Sequence, residues 1–254
     1  MPQFSANLGF LWTDRPLPAA IEAAAGAGFD AVECHWPYDV DAGEVRAALA
    51  ATGLSMLGIN TRRGDAAAGD NGLAALPGRD DEAWAAIAEA IGYAAAIGAD
   101  SVHVMAGRAQ GPLAHRTFVD NLAYAAQLAV PHGITILIEP LNRHDAPGYH
   151  LRTTDQARMV IQEVAAPNLK LMFDCYHVAR TEGDVITRLG ALLPVIGHIQ
   201  FAGVPHRGAP DQGEIDYGAV FAAIDDLGWA RPIGAEYRPD GDTNASLGWL
   251  DRYR

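Results

Sequence analysis

Short β-branched or apolar runs alternate with longer Ala-rich segments along almost the whole of this sequence. Phe4–Leu8, Ala31–His35, Ser55–Asn60, Ser101–Met105, Thr135–Glu139, Lys170–Asp174, Gly197–Phe201 and Ile233–Tyr237 have the length and composition of strands. Between them Leu17–Ala27, Asp41–Thr52, Asp80–Ile97, Arg116–Pro131, Thr154–Val164, Gly183–Leu193 and Tyr217–Leu227 repeat apolar residues at helical spacing. A last helix is expected over Thr243–Tyr253. Gly28, Gly53, Gly98, Gly133 and Gly228 follow helical runs where a left-handed cap residue belongs. Asp41, Thr153 and Asp216 precede helices as N-caps. Eight such units in 254 residues, with no linker, predict a single-domain (β/α)₈ TIM barrel over residues 1–254. An open doubly wound sheet is the alternative.

Half the residues are apolar and 19% are charged, the balance of a chain with a large core. The net charge of −13 would repel a phosphate backbone or an anionic bilayer, which excludes nucleic acid and membrane as expected partners. No apolar stretch approaches the ~20 residues of a membrane span. The N-terminal MPQFSANLGF lacks a basic region and a cleavage pattern, so no export signal is expected and the cytoplasm is the expected compartment. Cys34 and Cys175 sit in apolar runs and read as buried thiols rather than a disulfide or zinc site.

One connection stands out. Residues 61–78 (TRRGDAAAGDNGLAALPG) join the third strand to its helix through Gly, Asp, Asn and Pro. A loop of this length at the strand C-termini of a barrel is expected over an active site.

The chemistry concentrates at the ends of four successive strands. ILIEP places Glu139 at the lip of the fifth, LMFDCYH places Asp174 on the sixth, GHIQFA gives Gln200 and IGAEY gives Glu236. Side chains alternate faces along a strand, so each of these shares its face with apolar residues that pack inside the barrel. Clustered carboxylates repel unless a cation or a shared proton compensates them. Hard oxygen donors of this kind point to a divalent metal, Mg²⁺ or Mn²⁺. Asn7 and Asn60 end the first and third strands as hydrogen-bond donors to substrate, and Asp145 and His144 follow Glu139 in a polar loop, where they are expected either to touch substrate hydroxyls or to form a turn. Glu33 reads as a pocket-wall or supporting residue. Lys170, deeper on Asp174's face, is expected to neutralise charge inside the barrel.

These segments carry a resemblance that runs nearly end to end. FSANL, GFDAVE, PYDVD, AAGDNGLAALPGRDDE, LIEPLNRHDAPGYHL, NLKLMFDCYH, GHIQFAGVPHRGAPDQGEIDY and GAEY are similar to the hydroxypyruvate isomerase family, within the xylose isomerase-like TIM barrels. The resemblance implies that Glu139, Asp174, Gln200 and Glu236 form the metal site and that Glu139 and Glu236 are the acid–base pair. Related ketose epimerases carry His where this chain has Gln200, so metal binding is expected to be weak or dispensable. The implied reaction interconverts hydroxypyruvate and tartronate semialdehyde through an enediolate, with Glu236 as first base and Glu139 as its partner. His177 is expected to reach a substrate oxygen from the loop after the sixth strand. Arg207, in PHRG, is expected to pair with the substrate carboxylate.

The same machinery would serve a 2-oxo-tetronate isomerase or a ketose 3-epimerase. A nuclease of the endonuclease IV type should show more metal-binding His and a basic face. A non-catalytic sugar- or acid-binding barrel would not need the pair Glu139 and Glu236. Self-association is expected, if anywhere, through the apolar Trp36–Tyr38 loop.

Overall fold

The computed structural model describes residues 2–253. Strands and helices follow in the order β1 (Phe4–Asn7), α1 (Leu17–Ala27), β2 (Ala31–Glu33), α2 (Ala42–Thr52), β3 (Ser55–Met56), β4 (Ile59–Asn60) and α3 (Asp80–Ile97). Then come β5 (Ser101–His103), α4 (Gly111–Ala129), β6 (Thr135–Ile138), α5 (Thr154–Val164), β7 (Leu169–Asp174), α6 (Cys175–Thr181) and α7 (Val185–Leu192). β8 (Ile196–Phe201), α8 (Tyr217–Asp226), β9 (Ile233–Ala235) and α9 (Gly248–Arg252) complete the chain. All strand pairs are parallel, in the order β3-β2-β1-β9-β8-β7-β6-β5-β4.

The two ends of that order are halves of one expected strand, Ser55–Asn60, and through it the barrel closes. β3 pairs with β2 while β4 pairs with β5. Between them Leu57 N donates to Val32 O at 2.7 Å, and Ser101 Oγ donates to Leu57 O at 2.6 Å from the opposite side. A Cβ on Gly58 would lie 2.7 Å from that hydroxyl. The hydroxyl's close approach favours glycine there.

Expected caps form as the side-chain chemistry dictates. Asp41 accepts from Gly43 N and Glu44 N, Thr153 from Gln156 N, and Asp216 from Ala219 N. Gly28, Gly53 and Gly98 end their helices at φ of 87°, 74° and 75°. Outward strand residues pack under the helices. Phe4, Phe201, Phe221 and Trp249 meet edge-to-face at 5.0–5.8 Å between centroids, so α9 seals the seam where the last strand rejoins the first.

Three expectations are corrected. The segment after β7 is not a loop: Asp174 Oδ1 accepts from Tyr176 N at 2.8 Å and starts α6 at once. α4 begins at Gly111 rather than Arg116, with Pro112 in its first turn. The last helix is short, α9 alone, preceded by a 3₁₀ turn at Asn244–Ser246.

Residues 61–78 are tied down at both ends, the first by Thr61 N donating to His103 O at 2.9 Å. Asp70 pairs with Arg79 at 2.9 Å, and Ala74 N and Ala75 N donate to Met105 O and Ala106 O. Leu73, Ala74 and Ala75 are buried. The second half of the loop therefore runs along the exit of β5, and Arg63 and Asn71 reach the barrel mouth.

Candidate active site

Strand register brings the inward side chains to one end of the barrel. Asp174 stands beside Gln200 across β7 and β8, Gln200 beside Gly234, Asn7 beside Glu33, and Asn60 beside His103. A cavity of about 290 Å³ opens there, lined among others by Glu139, His177, Glu236, Arg207, Asp145 and Asn60. That size suits a small ligand.

Glu236 is held from two sides. Its Oε1 accepts from Asn7 Nδ2 at 3.1 Å and faces His35 Nε2 at 2.9 Å, and its Oε2 is paired with Arg207 Nη2. Burial opposes its ionisation, but Arg207 and His35 outweigh burial and hold the carboxyl down at about 2. Glu139 has no such support. It is 5% exposed, its Oε1 has no hydrogen-bond partner among the described residues, and burial followed by the charges of Glu236 and Asp174 pushes it well above the ordinary carboxylate range. Burial likewise raises Asp174, to about 7, against the pull of Arg207 Nη2 at 3.5 Å from its Oδ2.

Arg207 is thus the counter-ion of this cluster. Its side chain is 11% exposed, and it stacks 5.0 Å over Phe10 and 5.1 Å over Tyr176. Burial by itself would depress the guanidinium, but Glu236 and Asp174 raise it further. The sequence singled out Arg207 at the mouth; the structure adds Arg63, Arg108 and Arg238 to the cavity wall.

His177, on the first turn of α6, is fixed by Asn142. Asn142 N and Nδ2 both donate to His177 Nδ1, at 3.0 and 2.8 Å. A ring nitrogen that accepts from a backbone N–H carries no proton, so in the neutral ring the proton is on Nε2. Burial, then Arg207, lowers the imidazole to about 3, and the ring is neutral. Nε2–H lies 3.7 Å from Glu139 Oε1 and 3.6 Å from Asp174 Oδ2, without a partner.

Glu33 is the hidden support of the site. Its carboxylate accepts from Asn7 Nδ2 at 2.9 Å, from Gln200 Nε2 at 2.7 Å, and pairs with His198 Nε2. A Cβ on Gly234 would stand 2.6 Å from it. Asn7 is used up in this lattice, bridging Glu33 and Glu236. Asn60 lines the cavity while its carbonyl accepts from Tyr38 OH. Asp145 accepts from Tyr176 OH at 2.8 Å and Asn142 Nδ2 at 3.0 Å and lines the cavity, whereas the exposed His144 is not part of its lining. Lys170 makes no hydrogen bond or ion pair among the described residues, so the expected neutralising role falls to Arg207 instead. Trp36 Nε1 donates to Thr61 O at 3.0 Å and its ring lies under Arg63, so this loop is part of the cavity wall.

Sequence reasoning missed His103, His198 and Asn142. Strand parity was the available signal for the first two: 103 shares a face with 101 and 105, and 198 with 200.

The donor set suits a divalent cation in part. Glu139, Asp174 and His177 offer atoms within 4.8 Å of one another. The unpartnered oxygens of Glu139 and Gln200, both buried, fit a hard cation. His177 does not fit as a ligand, since its Nε2 bears the proton. Glu236 fits only when Arg207 releases Oε2.

The fold and the sequence have close relatives. The xylose isomerase-like TIM barrel family matches residues 21–253. A 2-oxo-tetronate isomerase of Cupriavidus necator is 46% identical over 257 residues, covering 100% of this chain and 99% of its own. A hydroxypyruvate isomerase of Escherichia coli is 40% identical over 258 residues, covering 100% of both chains. A solved structure named as an AP endonuclease, family 2, from Brucella melitensis superposes with a TM-score of 0.96 at 36% identity over 100% of both chains. No helix among the described residues is long and apolar enough to cross a membrane. The chain belongs to the xylose isomerase-like TIM barrel family and, within it, to the hydroxypyruvate isomerase group of isomerases.

Proposed function

We propose that the protein isomerises a small 3-hydroxy-2-oxo acid, interconverting hydroxypyruvate and tartronate semialdehyde. The observation that carries this reading is the opposite displacement of two carboxyls in one cavity. Glu236 is held as a carboxylate and Glu139 is pushed toward its protonated form. Environments that drive two acids apart assign one as base and the other as acid.

Glu236 takes the proton from C3 of hydroxypyruvate, giving an enediolate, and Glu139 delivers a proton to C2 from the other side. The hydroxyl proton moves from the C3 oxygen to the C2 oxygen, and exchange with solvent then discharges Glu236 and reloads Glu139, so the cycle closes without a co-substrate. His177 Nε2–H donates to one of these oxygens. The carboxylate of the substrate draws on Arg207, which loosens its hold on Glu236 and lets the base regain affinity for a proton. Asp145 and Asn60 are placed to bind hydroxyls, and Asn7 orients Glu236. Asp174, Gln200 and, once freed, Glu236 would hold Mg²⁺ or Mn²⁺, joined by Glu139 only in its ionised form. Bound there, the ion would supply positive charge to the substrate oxygens.

A second reading has its own support. The greater identity to the Cupriavidus enzyme favours 2-oxo-tetronate, in which the same two carbons react and one more CH–OH follows. Ketose 3-epimerisation would use the same carboxyls without a substrate carboxylate for Arg207. We place the protein in the cytoplasm, where the free, buried Cys34 and Cys175 fit a reducing medium. Turnover of C3 to C6 keto acids and neutral ketoses, with and without EDTA, tests the assignment. Turnover of ketoses alone would overturn it.

A further inference from the structure

His103 ends β5 on the inner face of the barrel, in register with Asn60 of β4 and Leu137 of β6. It lines the same cavity as Glu139, His177 and Glu236. The side chain is 2% exposed, yet neither ring nitrogen has a hydrogen-bond partner among the described residues. Nδ1 stops 3.6 Å from Glu139 Oε2, beyond hydrogen-bonding distance. A buried imidazole that makes neither of its bonds is costly, and native structures keep such groups for a reason.

His177 stands in a matching position. Its unpartnered Nε2–H approaches Oε1 of Glu139, while His103 approaches Oε2 of the same carboxyl. The reacting acid is therefore flanked by two imidazoles, one from β5 and one from α6. Both residues line the cavity, and each has a buried polar atom without a partner among the described residues. The substrate of the proposed reaction has two adjacent oxygens, on C2 and C3, and both change protonation along the path.

We propose that His103 is a substrate-binding residue that hydrogen-bonds one of these vicinal oxygens while His177 bonds the other, leaving Glu139 between them to face the carbons. This inference rests on the isomerase reading. A donor aimed at an oxygen that gains negative charge in the enediolate stabilises the transition state more than the ground state. The loss on removing it therefore falls on kcat rather than on KM.

The test compares His103→Phe, His103→Asn and His103→Gln with wild type. Asn places an amide near Nδ1 and Gln near Nε2, so rescue by one of them names the nitrogen that meets the substrate. His103→Phe is expected to fold with an unchanged or raised Tm, because an unsatisfied polar ring is replaced by an apolar one. Its kcat on hydroxypyruvate or 2-oxo-tetronate should fall about 100-fold, the scale of one lost oxyanion donor. In ¹⁵N-histidine-labelled wild type, tartronate, a stable three-carbon hydroxy acid, should shift the resonance that His103→Phe removes. A Phe variant that turns over at the wild-type rate, one that loses its fold, or a tartronate titration that leaves His103 unmoved overturns the proposal. A wild-type enzyme inert on every keto acid refutes the isomerase reading and this inference together; an active wild type with equally active variants refutes the inference alone.

Discussion

Replacing Arg207 by Met removes the guanidinium that pairs with both Glu236 and Asp174. Glu236 sits at about 2 because Arg207 and His35 overcome its burial. Without Arg207, the largest lowering influence, burial pushes the carboxyl back up. Removing one partner of a buried pair costs ~3–5 kcal/mol. The sign follows from the depressed carboxyl. Its contribution is present above the unfolded value of about 4.5 and fades as pH falls toward 2. Urea unfolding of Arg207→Met should therefore show a deficit of about 3–5 kcal/mol near pH 7 that narrows near pH 4. On the substrate side, losing an ion pair to a desolvated carboxylate costs ~2–5 kcal/mol, so kcat/KM for keto acids should fall at least ~30-fold. Neutral ketoses, if turned over, should lose much less. Equal losses on acids and ketoses would refute carboxylate recognition by Arg207, and wild-type stability at pH 7 would refute its role as counter-ion.

Glu236→Gln and Glu139→Gln should each lower kcat at least ~100-fold. Exchange of substrate C–H with D₂O reads this directly, and a variant exchanging at the wild-type rate removes that residue from the acid–base pair. Without metal, stability should decline from about pH 5 to pH 8, because Asp174, raised to about 7, and Glu139 bind protons more tightly folded than unfolded. Mn²⁺ should accordingly raise Tm more at about pH 8 than at pH 5, since its ligands must shed protons, and an undiminished pH dependence of that shift in Asp174→Asn would refute this account. Gly234→Ala should cost about 1–3 kcal/mol in denaturant unfolding by forcing the Glu33 carboxylate aside. A neutral effect would mean that Glu33 has room to move.

Much of this was legible in the chain because it is local. The alternation of strand and helix periods, the caps at Asp41, Thr153 and Asp216, and the glycines after helices each depend on a few neighbouring residues. So does the placement of Glu139, Asp174, Gln200 and Glu236 at strand ends, which follows from counting alternate residues. His103 and His198 obey the same parity and could have been read from it. What tertiary structure alone decided is which of these groups meet and in what charge state. Glu33 lies 165 residues from His198 and 167 from Gln200, and Asn7 lies 229 from Glu236. No local pattern shows that Arg207 neutralises Glu236 and Asp174, or that Asn142 fixes the His177 tautomer. Nor does one show that the Ser101 hydroxyl packs against Gly58. Electrostatics and hydrogen bonding act across space, so the strand-end pattern put carboxyls at the barrel mouth, and only the closed barrel drives their ionisation in opposite directions, Glu236 down and Glu139 up.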